Sequence, residues 1–388
     1  MQFLLFLISP ILSLPTIFSG IKHGKKSSLV LLALFMGLFA YCTMPAQDLF
    51  RHFEHYEHFA SLNLKDITEL DFSLNGIEVY IFCLMGKIGL HFDYFRLFTL
   101  SIGFYLLCDI FYWKMRNTSV VYSNTEYFAR FIIFLLFFDL FYTVMGLRYG
   151  FALCLYLYGV FKMIDKDEKM KALVFFVLAY LFHTSFLFLV GASLALYYLR
   201  ISKSNMVLLV ILAFAAMRYF FAHYSDMLGV RADWYGSSSR VSDYSNMTTW
   251  GLIGFVGPKL CALPFAFLMF KNNIQDSKWG RMAMAWFVLS LICLSNAVFL
   301  YRIWWGFTAI GVYLLIDLEK VHGKFDLNVI KRIKYAGIIF LLFNIIPHHT
   351  MFTRSNYYRL FEPVPIILME NYDINEILKK YPSIGDFV

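Results

Sequence analysis

Long apolar runs, repeated almost from end to end and separated by short polar turns, constrain this chain more than any other feature. The run at 131–142, FIIFLLFFDLFY, is apolar around almost the whole circumference of a helix. A strand of a transmembrane barrel alternates polarity at every residue, so a β-barrel is excluded. A bilayer core about 30 Å thick takes about 20 apolar residues per helical span, and segments approaching that length recur at 3–19, 29–44, 77–90, 92–113, 128–145, 147–163, 172–182, 185–199, 206–222, 252–270, 282–300, 304–316 and 335–346. With 60% hydrophobic and only 15% charged residues, a water-soluble fold is also excluded. The expected architecture is an all-α, polytopic integral membrane protein of about 11–13 transmembrane or re-entrant helices, forming one membrane domain over residues 1–388. The first segment lacks a preceding basic stretch and contains Pro10 and Pro15, so it is expected to stay as a first span rather than leave as a signal peptide.

The net charge of +8 does not point to nucleic acid, because more than half of the 34 Lys and Arg lie in short clusters between apolar segments. These clusters are Lys22/Lys25/Lys26, Lys114/Arg116/Arg130, Lys162/Lys166/Lys169/Lys171, Arg200/Lys203, Lys271/Lys278/Arg281 and Lys320/Lys324/Lys331/Arg332/Lys334. Basic loops stay in the cytoplasm. The same parity puts a net-negative segment at 45–75, a polar loop at 225–250 and the tail at 348–388 on the outer face. Segment 77–90 is short and carries Glu78 and Lys87, which predicts a juxtamembrane or re-entrant piece. Only 28 residues separate Lys171 from Arg200, too few for two full spans, so a break is predicted near Phe182-His183-Thr184-Ser185. The six cysteines form no CxxC pair and read as small core residues.

An ionisable side chain at membrane depth is a functional candidate by default. Arg148 and Arg302 each stand at the outer end of a span, where a guanidinium can fork two phosphate oxygens. His183 marks the predicted break, and Asp48 opens a run expected to lie on the membrane as a helix. In that run His52, His55 and His58 recur every third residue, with Glu54 nearby. The spacing matches no standard metal-ligand pattern, and no metal or other cofactor is expected. Trp234 and Tyr235 in the polar loop are candidate glycan-stacking residues, with Glu78 a further glycan-binding candidate. No Walker A, GxGxxG or GxSxG motif is present.

Gly146-Leu147-Arg148-Tyr149-Gly150-Phe151-Ala152, a lysine-rich turn, and Ala179-Tyr180-Leu181-Phe182-His183-Thr184-Ser185 together resemble the EpsG-like and Wzy-like exopolysaccharide and O-antigen polymerases. There an RxxxA span and an A-x-x-FH-x-S segment flank such a turn. Asp48, Glu78 and Arg302 look like further landmarks, while Tyr149 and Leu49 depart from the family's usual Gln and Tyr. The resemblance implies a GT-C glycosyltransferase, multi-pass in the bacterial inner membrane, that joins undecaprenyl-diphosphate-linked oligosaccharide repeat units on the outer face. It also implies work alongside a chain-length regulator and a flippase. Arg148 and Arg302 would then meet the diphosphate, and His183 or Asp48 would serve as base. A lipid-linked oligosaccharide flippase and an O-antigen ligase or acyltransferase are the alternatives. A flippase needs a cationic passage open to both faces, whereas these residues all fall on one side.

Overall fold

The computed structural model describes residues 2–45, 48–63, 65, 76–199, 205, 210–211, 215, 249–274, 276–293, 297–346 and 353–373. Trp234, Tyr235, nearly all of the 225–250 loop, segment 66–75 and the tail beyond 373 lie outside the described residues. No strand occurs among those described, and the expectation of an all-helical chain holds. The helices are α1 (Gln2–Ile8), α2 (Pro10–Lys22), α3 (Lys26–Tyr41), α4 (Asp48–Ala60), α5 (Glu78–Lys87), α6 (Phe92–Arg116), α7 (Asn124–Phe137), α8 (Leu140–Met145), α9 (Leu147–Ile164), α10 (Lys169–Phe182), α11 (Ser185–Leu199), α12 (Thr249–Cys261), α13 (Leu263–Lys271), α14 (Lys278–Ile292), α15 (Ala297–His322), α16 (Leu327–Ile345) and α17 (Val364–Ile367), with a 3-10 turn at Tyr357–Phe361 before the last.

Among the described residues two helices, α6 and α9, combine the length and apolarity needed to cross a membrane, and both are mostly covered by the rest of the fold. Several other apolar segments are interrupted. Segment 3–19 is not one straight span: Ser9 is extended ahead of Pro10, and α1 folds back on α2, so that the Gln2 amide donates to the Thr16 carbonyl at 2.7 Å. In a continuous helix those residues would be about 21 Å apart. Segment 128–145 divides at Phe138 and Asp139 into α7 and α8, and segment 252–270 divides at Ala262, with Pro264 in the first turn of α13. The break predicted at His183 is present, with α10 and α11 each about 21–23 Å long. Segment 77–90 forms α5, a ten-residue helix about 15 Å long. Leu, Phe and Ile side chains such as Phe3, Ile8, Phe98, Leu173, Leu187, Phe188, Phe267 and Leu342 are exposed on the outer helices. Apolar surface this extensive is rare on a protein surrounded by water.

The five basic clusters among the described residues meet at one end of the bundle; Arg200 and Lys203 lie outside the described residues. Arg116 donates to the Gly24 carbonyl at 3.1 Å, Lys26 pairs with Asp109 at 2.7 Å, and Lys278 caps the carbonyl of Ile164. Lys114, on α6, lies 2.9 Å from Asp317 and 3.5 Å from Asp165, while Ser277 and the Trp279 amide donate to the other Asp317 oxygen. Arg130 grips both carboxylate oxygens of Glu319, which is wholly buried and also accepts from Tyr122 and the Phe325 amide. Ser123 starts α7 with a reciprocal cap to Glu126, whose carboxylate Lys324 meets. The described part of the C-terminal tail lies at the opposite end, over the starts of α6 and the ends of α3. There the Asn356 amide donates to the Cys42 carbonyl, and Tyr41 and Tyr94 donate to the Leu368 carbonyl. Arg96, fully buried, joins Asp93 to the Tyr41 and Thr43 carbonyls at that end. All six cysteines are buried and unpaired with one another.

Candidate functional site

The tail end of the bundle also carries the candidate residues, and the short helices α4 and α5 explain how. In α4 the positions Leu49, His52, Phe53, Tyr56 and Phe59 are buried, while Arg51, Glu54, Glu57 and His58 are exposed. That spacing gives one apolar stripe per helix turn. Its rings pack onto the start of α6: Phe53 stacks on Phe92 with centroids 5.4 Å apart, and the Tyr56 hydroxyl donates to the Leu90 carbonyl. Helix α5 crosses α4 at Gly86, where a Cβ would fall 2.3 Å from the Ala60 carbonyl oxygen. The platform therefore presents His52 and His55 toward Glu78, the first residue of α5.

Glu78 is 1% exposed and is held from two sides. Arg148, at the start of α9, donates from Nη1 to Glu78 Oε1 at 2.5 Å, and His52 Nδ1 lies 3.4 Å from Glu78 Oε2. Burial works against the carboxylate's charge, but His52 and Arg148 outweigh it and keep the carboxyl below its usual range. Burial pushes the His55 imidazole down to about 4, so that ring is neutral near pH 7. As a sugar contact Glu78 is therefore poorly placed, since its carboxylate is turned inward to Arg148 instead of out to solvent. Asp48 opens α4 one turn before His52 in register, and its side chain is outside the described residues.

The break at His183 joins the same platform through the backbone. The Ile77 amide donates to the Leu181 carbonyl at 2.9 Å, which seats the start of α5 on the end of α10. Gly76 makes this approach possible. Its φ is +66°, and a Cβ there would lie 3.0 Å from the Leu181 oxygen. Gly76→Ala is accordingly expected to cost about 1–2 kcal/mol from the left-handed backbone alone and to displace Glu78. Thermal unfolding in detergent, read beside activity, checks this.

His183 Nδ1 lies 2.8 Å from the Ser185 hydroxyl and 3.4 Å from the Ser185 amide. An amide N–H can only donate, so Nδ1 accepts and the neutral ring carries its proton on Nε2. The ring meets Tyr149 edge to face at 5.3 Å. Tyr149 in turn donates its hydroxyl to the Arg302 carbonyl at 2.9 Å, lies 5.6 Å from the Arg302 guanidinium carbon and faces Trp305. Arg148 and Glu78 thus form one contact group, and His183 and Arg302 another, with the adjacent residues Arg148 and Tyr149 linking the two.

Three residues escaped the sequence reading. His52 was hidden in a repeat whose spacing looked unproductive. Tyr149 stood out only as a departure from the family pattern, yet it is the contact between His183 and Arg302. Lys259, in α12, is 9% exposed, donates to the Phe255 carbonyl and lies 4.8 Å from the Tyr301 ring, beside a small cavity lined by Asp139, Trp304 and Trp305. The signal was available, since Gly257-Pro258-Lys259 puts a cation inside an apolar segment.

Fold and site together define an all-helical protein with outward-facing apolar helices, whose arginine, carboxylate and imidazole groups are gathered at one end. Comparison with known families matches the EpsG family over residues 44–362, and the chain belongs to that family. The match supports a membrane protein of polysaccharide biosynthesis. No curated protein and no solved structure matches the chain.

Proposed function

We propose that this protein is a GT-C polymerase spanning the bacterial inner membrane many times, which joins undecaprenyl-diphosphate-linked repeat units into O-antigen or capsular polysaccharide on the outer face. The observation that carries this reading is the separation of charge along the bundle. The topology-setting basic clusters converge at one end, and Glu78, Arg148, His183 and Arg302 lie at the other. The stretch between the two ends is filled by aromatic packing, such as Phe104 on Phe134, Phe111 on Phe134 and Tyr156 on Trp286, which favours a one-sided enzyme over a flippase with a passage open to both faces. The outer leaflet is where a lipid diphosphate would meet the second end.

In the proposed reaction a hydroxyl of one lipid-linked repeat attacks the anomeric carbon of the growing chain. The bond from that carbon to the diphosphate breaks, and undecaprenyl diphosphate leaves with the electron pair. Arg148, its fork oriented by Glu78, and Arg302, anchored at Tyr149, supply fixed positive charge where the leaving diphosphate gains negative charge. The Nε2 proton of His183 suits it to donate to that diphosphate. Asp48 then becomes the leading candidate to take the acceptor's hydroxyl proton.

The test is a strain lacking the gene. Surface glycan limited to a single repeat unit supports the polymerase, and restoration of long chains by the plasmid-borne gene completes the result. Complete loss of surface glycan, with repeat units held at the inner leaflet or left untransferred, would overturn it in favour of a flippase or a ligase.

A further inference from the structure

We propose that His52, His55 and Glu78 form a binding site for one divalent transition-metal ion of the zinc class. The role given below to that ion in handling the lipid diphosphate rests on the polymerase reading. The sequence showed only an unproductive histidine repeat on one helix. Tertiary structure replaces its outer members, Glu54 and His58, with a carboxylate from the crossing helix α5. One potential ligand atom from each of His52, His55 and Glu78 lies within 4.8 Å of the other two.

Three observations point to a cation. His52 Nδ1 and Glu78 Oε2 are 3.4 Å apart, and two ligands about 2.0–2.1 Å from a tetrahedral metal are separated by about 3.4 Å. Glu78 Oε2 is buried and meets no nearer partner than the His52 ring, and His55 Nδ1, buried beside it, has no hydrogen-bond partner among the described residues. Buried lone pairs that converge in this way repel one another unless a positive charge lies between them. Finally, the remaining oxygen of Glu78 accepts from Arg148 at 2.5 Å, which is the support a metal-ligating carboxylate commonly receives from its surroundings.

Two imidazoles and one carboxylate are the ligand set of open zinc sites, in which a fourth position is left for water or substrate. Here the ion and the Arg148 guanidinium would share one carboxylate. Two positive centres so close together suit an anion with several negative oxygens, and a lipid-linked diphosphate is such an anion. The ion would bind diphosphate oxygens and stabilise the leaving group together with Arg148.

The test uses the full-length protein in detergent, stripped with chelator and titrated with cobalt(II), whose visible d–d absorption reports a low-symmetry site without reference to activity. Zinc displacement and elemental analysis give the stoichiometry. One ion per chain is expected. His55→Ala and Glu78→Gln should weaken binding by at least about 100-fold, as loss of a ligand exceeds the 10- to 100-fold typical of losing its support. His55, only partly buried, is the variant more certain to fold, and circular dichroism checks both. Glu54→Ala and His58→Ala, on the exposed face of α4, should bind as wild type. A wild-type protein that takes up no more cobalt than His55→Ala overturns the site. Metal binding without chain extension would leave the site standing and remove the polymerase reading. Chain extension by chelator-stripped protein, unchanged by added zinc, would remove the proposed role of the ion.

Discussion

Arg148→Ala is expected to reduce chain extension by about 100- to 1,000-fold, the usual loss when one fixed donor to a developing oxyanion is removed. Cells carrying the variant should accumulate glycan of a single repeat unit. The residue has a second duty, because its guanidinium neutralises a carboxylate that is 1% exposed. Removing one partner of a buried ion pair typically costs about 3–5 kcal/mol, most of it for the charge left behind. Activity and stability must therefore be measured together, by polysaccharide gels and by thermal unfolding in detergent. The double variant Arg148→Ala/Glu78→Gln separates the two duties: it should regain much of the lost stability and none of the activity. Arg148→Lys keeps the charge without the planar fork and should fall between wild type and Arg148→Ala. An Arg148→Ala protein that is well expressed and still builds long chains would remove the diphosphate assignment.

Glu319→Ala is expected to produce the largest purely structural effect, a loss of roughly 3–5 kcal/mol with no direct effect on the chemistry. Glu319 is wholly buried, receives two guanidinium donors from Arg130, and also accepts from Tyr122 and from the Phe325 amide. Its removal leaves Arg130, 3% exposed, as a charge with no carboxylate in reach of the same fork, since Glu126 is engaged by Lys324. The pair ties α7 to the end of α15, so the bundle should loosen at the basic end while the site at the far end keeps its geometry. Reduced yield and a lower unfolding temperature, with activity per folded molecule near wild type, are the expected results. If unfolding is unchanged, the pair contributes nothing to stability.

How far the sequence reached depended on the kind of evidence each feature needs. The break at His183 was legible because chain length is a hard limit: 28 residues between two basic anchors do not make two full spans. The helical class was legible because uninterrupted apolar runs suit only a backbone that satisfies its own hydrogen bonds. The fold-back of α1 was not, because Pro10 can start a helix as readily as it can interrupt one. The division at Asp139 was equally hidden, since a lone aspartate in an apolar run does not say whether the chain stops there.

The sequence by itself determined the helical class, the end of the bundle at which basic residues gather, and the identity of Arg148, His183 and Arg302 as residues needing an explanation. Those conclusions rest on local quantities: apolar length, charge position and the cost of an ionisable group in an apolar run. Only the tertiary structure decided what these residues meet. Glu78 pairs with Arg148 across 70 positions of chain, Tyr149 contacts both His183 and Arg302, and His52 and His55 acquire a carboxylate from the neighbouring helix instead of from their own. The physical reason is that such partners are set by where α4, α5, α9 and α10 cross. Those crossings depend on close backbone approaches at Gly76 and Gly86 that no periodicity along a single helix records.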